Sequence, residues 1–521
     1  MAIPKILPLF VALLFVAIPV LGATPDDGWP ASEGWTHYGG SPRHEARSPA
    51  IGPEKATEAA VVALKGPSFT APVMDATGDL YVGSDRDEAG TVTKLTPGLG
   101  VVWHRDIPGN IRASLLIGPD AVYAAPVDGR LYALDPESGA VLWDIDVGNR
   151  ADGGFTITAA PTWHPDGFVV QPSMDGKVYA VADRTTEGEV LWTYDTTGDG
   201  AEKLVAAAAI ADDGTIYTGG QNGFLYALTP EGELKWKVAT AELGRPAFPE
   251  QQVAAPAIGA DGTVYVGTRV SRDLTGAVYA FKDTGSKAER LWVRQLDEKI
   301  VAPVAIGPDG DLFVGDIAGS FFRLEKADGA IVWRFNAAEH DPTIDSAVRE
   351  HTLDTRTLSV AEQALVDAAG RVYVSYWHVD LTKGFPPQES FKSPFYALDA
   401  ESGKIVWRHV SAKTARAPMM MPSEETRTTG THDGVLYLAT DAAKVHAFAD
   451  ASLRPPGRAA TPSETITPPE TNKSAETAAA TDTTPTANET SGDTPSPTAV
   501  TVLIVVTSLL LFARRGRKRE R

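Results

Sequence analysis

Between Ala59 and Ala449 the chain alternates short apolar runs with tight polar breaks, and the breaks recur in a fixed order. One kind of run follows Asp-Gly: Asp213-Gly214-Thr215-Ile216-Tyr217-Thr218-Gly219, Asp261-Gly262-Thr263-Val264-Tyr265-Val266-Gly267 and Asp309-Gly310-Asp311-Leu312-Phe313-Val314-Gly315. A second follows at once, as in Asp128-Gly129-Arg130-Leu131-Tyr132-Ala133-Leu134, Asp175-Gly176-Lys177-Val178-Tyr179-Ala180 and Asn222-Gly223-Phe224-Leu225-Tyr226-Ala227-Leu228. A glycine turn then leads to a run that carries tryptophan, as in Gly139-Ala140-Val141-Leu142-Trp143 and Gly403-Lys404-Ile405-Val406-Trp407. Asp-Gly and Asn-Gly accept the positive φ of tight hairpins, and β-branched and aromatic runs suit half-buried pleated strands.

Three or four short strands per unit cannot bury both faces alone, so neighbouring units must stack. The repeat tryptophans are Trp103, Trp143, Trp192, Trp236, Trp292, Trp333 and Trp407. Their mean spacing of about 51 residues suits propeller blades rather than a solenoid coil. After Trp407 one more unit follows, with Asp433-Gly434-Val435-Leu436-Tyr437-Leu438 and Lys444-Val445-His446-Ala447-Phe448, and it lacks a last strand. Ala60-Val61-Val62-Ala63-Leu64 is a strand that lacks a unit. Pairing the two hides both edges and closes the ring. The fold expected is all-β, an eight-bladed β-propeller over residues 59–450, with seven blades as the alternative count.

The combination of D-G-x-[VLI]-[YF], Y-A-[LF] and G-x-x-x-W resembles the pyrroloquinoline-quinone-like (PQQ-like) propeller repeat, over roughly residues 35–450. The N-terminal segment Gly34-Trp35-Thr36-His37-Tyr38-Gly39-Gly40 is similar to the start of such proteins. The resemblance implies one of two functions. Quinoprotein dehydrogenases of this family hold a quinone near the axis over a tryptophan floor, with calcium, a carboxylate base and often adjacent cysteines. The non-enzymatic propeller of outer-membrane protein assembly is similar in blade number and has no catalytic residues.

The 521 residues contain 47 Lys and Arg against 67 Asp and Glu, a net charge of −20, and no cysteine. Such acidity argues against nucleic acid as a partner, which needs an excess of Lys and Arg. The missing cysteine removes thiolate metal sites, a cysteine nucleophile, a lipidated cysteine anchor and the adjacent-cysteine element of the quinoproteins. Met1–Ala23 reads as a signal peptide, with Lys5 before an apolar core and small residues at its end. Residues 24–58 form an N-terminal segment leading into the propeller. Residues 451–497 read as a disordered stalk, because 461–497 hold 11 Thr, 4 Ser and 6 Pro and no aromatic residue. The apolar run 498–513 is expected to be a single transmembrane helix or a sorting signal, and 514–521 a basic cytoplasmic tail. The expected location is the cell membrane, with the propeller outside the cytoplasm.

No catalytic residue, cofactor-binding residue or metal ligand is assigned by pattern. The ten histidines show no local ligand spacing. Asp85-Arg86-Asp87-Glu88 and Asp195–Gly200 miss the calcium-loop spacing. Trp163 and Trp377 lie off the repeat position, which suits packing or a loop anchor better than a cofactor floor. Three insertions depart from the repeat: 336–360, 376–392 and 245–252. They supply Arg245, Phe248, Tyr376, Trp377, His378 and Phe385 as candidate partner-binding residues, since exposed aromatics beside charge favour protein contacts. The function expected is a non-catalytic binding or scaffolding module for a protein or peptide partner. The alternatives are a PQQ- and calcium-dependent dehydrogenase and an envelope assembly factor.

Overall fold

The computed structural model describes residues 34–450 except 56, 151–157, 202, 241–250, 271–275, 297, 299, 301, 343–357, 361–362, 379–392, 412–418 and 423–433. Eight antiparallel sheets form the blades of a propeller, numbered in chain order by first strands that begin at Val73, Leu116, Thr162, Ala209, Gln251, Ala305, Leu358 and Met419. Blade 1 shows the common order, from the innermost strand outward: Val73–Met74, Leu80–Arg86, Ala89–Leu95 and Val101–Pro108. Blade 8 is made from both ends of the ring. Its strands Met419–Pro422, Gly434–Thr440 and Lys444–Phe448 are completed by Glu58–Ala63, which pairs antiparallel with Lys444–Phe448. The expected closure and the count of eight are therefore both observed. The signal peptide, stalk, apolar run and basic tail lie outside the described residues. Among the described residues no helix is long and apolar enough to cross a membrane.

The tryptophans hold one blade to the next. Each sits on the outer strand at one register position of the third strand, opposite alanine in five blades, as in Ala133↔Trp143, Ala227↔Trp236 and Ala397↔Trp407, and opposite Lys94 for Trp103 and Arg323 for Trp333. The indole N–H reaches across the seam to the following blade's outer turn. Trp103 donates to Pro136 O at 3.1 Å, Trp192 to Pro230 O at 2.8 Å, Trp292 to Lys326 O at 2.9 Å and Trp333 to Ala400 O at 2.8 Å. The ring face lies on the turn glycine. A Cβ on Gly139 would come within 2.6 Å of Trp103, and one on Gly403 within 2.7 Å of Trp333, so the indole needs glycine there twice over, for space and for positive φ.

The last seam departs from this scheme at both partners. Ala60, opposite Ala447, stands where the other blades carry tryptophan. Leu99, at φ 62° in blade 1's outer turn, stands where blade 2 has Gly139. Leu99 is buried in the same apolar cluster as Tyr437 and Phe448, with Ala60 packed against it. The large side chain has moved from the strand to the turn. Tyr437 supplies the missing hydrogen bond, donating to Pro97 O at 2.7 Å. At the preceding seam Trp407 donates to Pro53 O at 2.8 Å, so the N-terminal segment acts as the outer turn that blade 8 lacks.

Candidate functional site

Strand alternation places the eight turns between first and second strands at one face of the ring, and the links between blades at the other. The first face is occupied by residues 35–51. Trp35 exchanges backbone hydrogen bonds with Met74 of blade 1, and Thr36 O accepts from Ile117 N of blade 2. His37 Nε2 accepts from Trp163 N of blade 3 at 3.2 Å. Pro42 O, Arg43 O, Glu45 O, Ala46 O and Ile51 O then accept from Ile210, Ile258, Ile306, Val366 and Gly434, one residue from each of blades 4 to 8. The segment thus winds once round the axis, bonds the inner strand of blades 1 to 7 in turn and ends on the second strand of blade 8 at Gly434. It is also polar and buried. Arg43 Nη2 lies 3.0 Å from Glu45 Oε1, and Gln363 Nε2 donates to His44 O and Val304 O. Burial lowers His37 to about 3, with His44 nearby adding to the effect, and burial lowers His44 to about 4. Both rings are therefore neutral at ordinary pH. Trp163 stacks on Tyr123 and takes His37 on its amide, so it is an anchor of this coil.

Further along the axis Ala113, Ala160, Ala206, Ala207 and Ala255 make one buried cluster against Tyr38. Calcium takes about six to eight oxygen ligands, and methyl groups offer none. The acidic stretches noted in the sequence act as local structure. Asp85 pairs with Arg112 at 3.0 Å, and Asp195 caps Thr197 N at 2.8 Å.

The opposite face carries the insertions. Blades 5 and 7 each gain a short strand there. Gln251–Val253 pairs with Thr268–Val270, and Leu358–Val360 pairs with Tyr376–His378. Among the described residues each added strand is paired on one side only. Blade 6 lies between these two extended blades, and its last strand ends in a short helix, Ala337–His340. Asn336 caps that helix through Ala338 N at 3.0 Å, and Arg334 holds Glu339 through both guanidinium nitrogens. Asp341 follows, almost fully buried, and its Oδ2 accepts from Tyr396 Oη at 2.9 Å and Arg408 Nη1 at 3.0 Å. Burial and the Asp341 carboxylate push the Tyr396 hydroxyl well above its usual value. This gives the loop face a rigid base.

The candidate residues are placed differently from one another. Tyr376 is not a contact residue: it is fully buried, donates to Gly319 O at 3.2 Å and meets Tyr396 edge to face. Burial raises its hydroxyl far above the usual value. Trp377 and His378 continue the same strand opposite Ser359 and Leu358, so the hairpin's lengthening begins as ladder and not as loop. Arg245, Phe248 and Phe385 lie outside the described residues. The winding segment's role went unread because its contacts are backbone carbonyls, which carry no residue-type signal; its three positive-φ glycines, Gly34, Gly39 and Gly40, are the cue that remains.

Fold and faces together define an eight-bladed propeller of PQQ-like repeats, shut on one side and extended on the other. The chain belongs to the family described as outer membrane protein assembly factor BamB, matched over residues 53–186 and 88–335. Among solved structures it is similar to BamB from Moraxella catarrhalis, with TM-score 0.54, 15% identity, and coverage of 75% of this chain and 99% of that one. It is also similar to the quinohemoprotein alcohol dehydrogenase of Comamonas testosteroni, with TM-score 0.55, 12% identity and 80% of each chain covered. At these identities the likeness shows the fold alone. A curated relative, the dehydrogenase subunit of the quinone alcohol dehydrogenase of Gluconobacter oxydans, is 29% identical over 164 residues. That match covers 27% of this chain and only 21% of the relative's length.

Proposed function

We propose that this chain is an exported, membrane-anchored propeller that acts as a non-catalytic binding or scaffolding module for a protein or peptide partner. The observation that carries the reading is the asymmetry of the ring. One face is sealed by the winding N-terminal segment, while blades 5 and 7 raise one-sided strands at the other. Val253 N of the first is taken by Gly220 O of blade 4 at 3.3 Å, whereas among the described residues Leu358–Val360 has no ladder partner on its other side, and such an edge offers main-chain hydrogen bonds to an extended peptide. The family's name, an assembly factor, agrees with a protein partner. In this reading residues 1–23 direct export, 451–497 hold the ring away from the membrane, 498–513 anchor it and 514–521 remain in the cytoplasm.

The test cross-links the full chain in its own envelope and compares it with a variant in which residues 380–391 are replaced by a short Asn-Gly turn. The expected result is loss of the captured partner with the unfolding midpoint unchanged. Undiminished capture would sink the loop-face reading. A second reading, quinoprotein dehydrogenase, is favoured by the partial match to the Gluconobacter subunit. Titration with pyrroloquinoline quinone and calcium decides it. The expectation is neither a quinone absorbance change nor dye-coupled alcohol oxidation, and turnover would replace the scaffold by the enzyme.

A further inference from the structure

The seam between blades 7 and 8 gathers three metal-ligating side chains from distant parts of the chain. His409 stands on blade 7's outermost strand, His446 on blade 8's third strand, and Glu58 on the N-terminal strand that completes blade 8. One ligand atom from each lies within 4.8 Å of the other two. Glu58 Oε2 is 2.7 Å from His446 Nδ1. Phe448 backs the group, with its ring 4.9 Å from His409 and stacked parallel to His446 at 6.1 Å. Glu58 is exposed, His409 half-buried and His446 buried, so the cluster opens to solvent on the carboxylate side.

Two imidazoles and a carboxylate match a borderline divalent metal and not calcium, which prefers oxygen ligands throughout. We propose that Glu58, His409 and His446 form a zinc-class site that locks the ring shut, with its fourth position open to water. Nitrogen and oxygen ligands bind zinc at about 2.0–2.2 Å. All three residues stand on paired strands, so the backbone that carries the ligands is held in register. The ion would replace the direct Glu58–His446 contact and tie three strands together, one of which is the first strand of the ring. The site is at the ring's outer seam, far in sequence from the axial residues, and owes nothing to the quinone chemistry of relatives.

The experiment is calorimetric titration of the full chain in detergent with zinc chloride, alongside thermal unfolding with and without zinc. One equivalent should bind, the unfolding midpoint should rise because the ion binds only the closed ring, and calcium at the same concentration should do neither. Glu58→Gln and His409→Gln should each weaken zinc about tenfold or more, while both variants fold without metal, since Gln at 58 keeps a neutral hydrogen bond to His446. His104→Gln, on blade 1, should leave the affinity unchanged. Zinc should also slow amide exchange in Glu58–Ala63. Absence of binding, or equal affinity in the two ligand variants and the parent, overturns the site.

Discussion

Leu99 and Ala60 show how one residue's size is set by another's far along the chain. A leucine at positive φ costs about 1 kcal/mol or more in strain, and it is retained because its side chain fills the space that a tryptophan occupies at other seams. Leu99→Gly relieves the strain but opens a cavity, so a net loss of about 1–3 kcal/mol is expected in urea unfolding. Adding Ala60→Trp should recover most of that loss by restoring the strand-to-glycine clasp, and a double variant no better than Leu99→Gly would refute the exchange. His37 and His44 give a second expectation. Both have folded pKa values below the ordinary 6.5, so the unfolded chain takes up protons that the folded ring refuses. Stability is full above about pH 6.5 and falls as the pH drops toward 4. One unit below the ordinary value each ring should cost about 1.4 kcal/mol. The urea midpoint should fall between about pH 7 and pH 5, and fall less in His37→Gln; an identical slope would remove His37 from the account.

Among the elements, the strands were legible and the winding segment was not. Alternation and Asp-Gly turns report the local chain, and a seam tryptophan reports through its regular spacing. Tyr376 misled for the same reason: its sequence neighbours Trp377 and His378 look like a loop, whereas a strand added at Leu358–Val360 extends the ladder over them. The N-terminal segment is held by carbonyls at irregular intervals, so nothing periodic marks it. Its importance should nonetheless be measurable. Removing residues 34–51 leaves one amide donor in each of blades 2 to 8 without its acceptor, a carbonyl in six of them and the His37 ring in blade 3, and the ring should lose cooperative unfolding. A deletion that unfolds at the parental midpoint would show the coil to be ornamental. By comparison Trp333→Ala, which empties one seam and leaves Ala400 O with only its bond from Arg323 Nη1, should cost about 3–5 kcal/mol in chemical denaturation.

For the whole molecule, the ring count and its closure could be read from an orphan strand at one end and an incomplete unit at the other. Function could not, because a propeller's blades look alike whatever the faces do. What separates the faces is where the chain adds residues and where it covers itself, and both are long-range facts. The metal-ligating trio is the extreme case: Glu58 and His446 are 388 positions apart, so no spacing rule could join them. Closure has a temporal side as well. Glu58–Ala63 is synthesised early, yet its partner strand ends at Phe448. Until that late segment exists, the first-made strand has a bare edge and the coil ahead of it has only some of its eight docking points. A nascent chain halted before Lys444 would therefore be an open arc with two unpaired edges, the kind of species that adheres to its own copies until the last strand closes the ring.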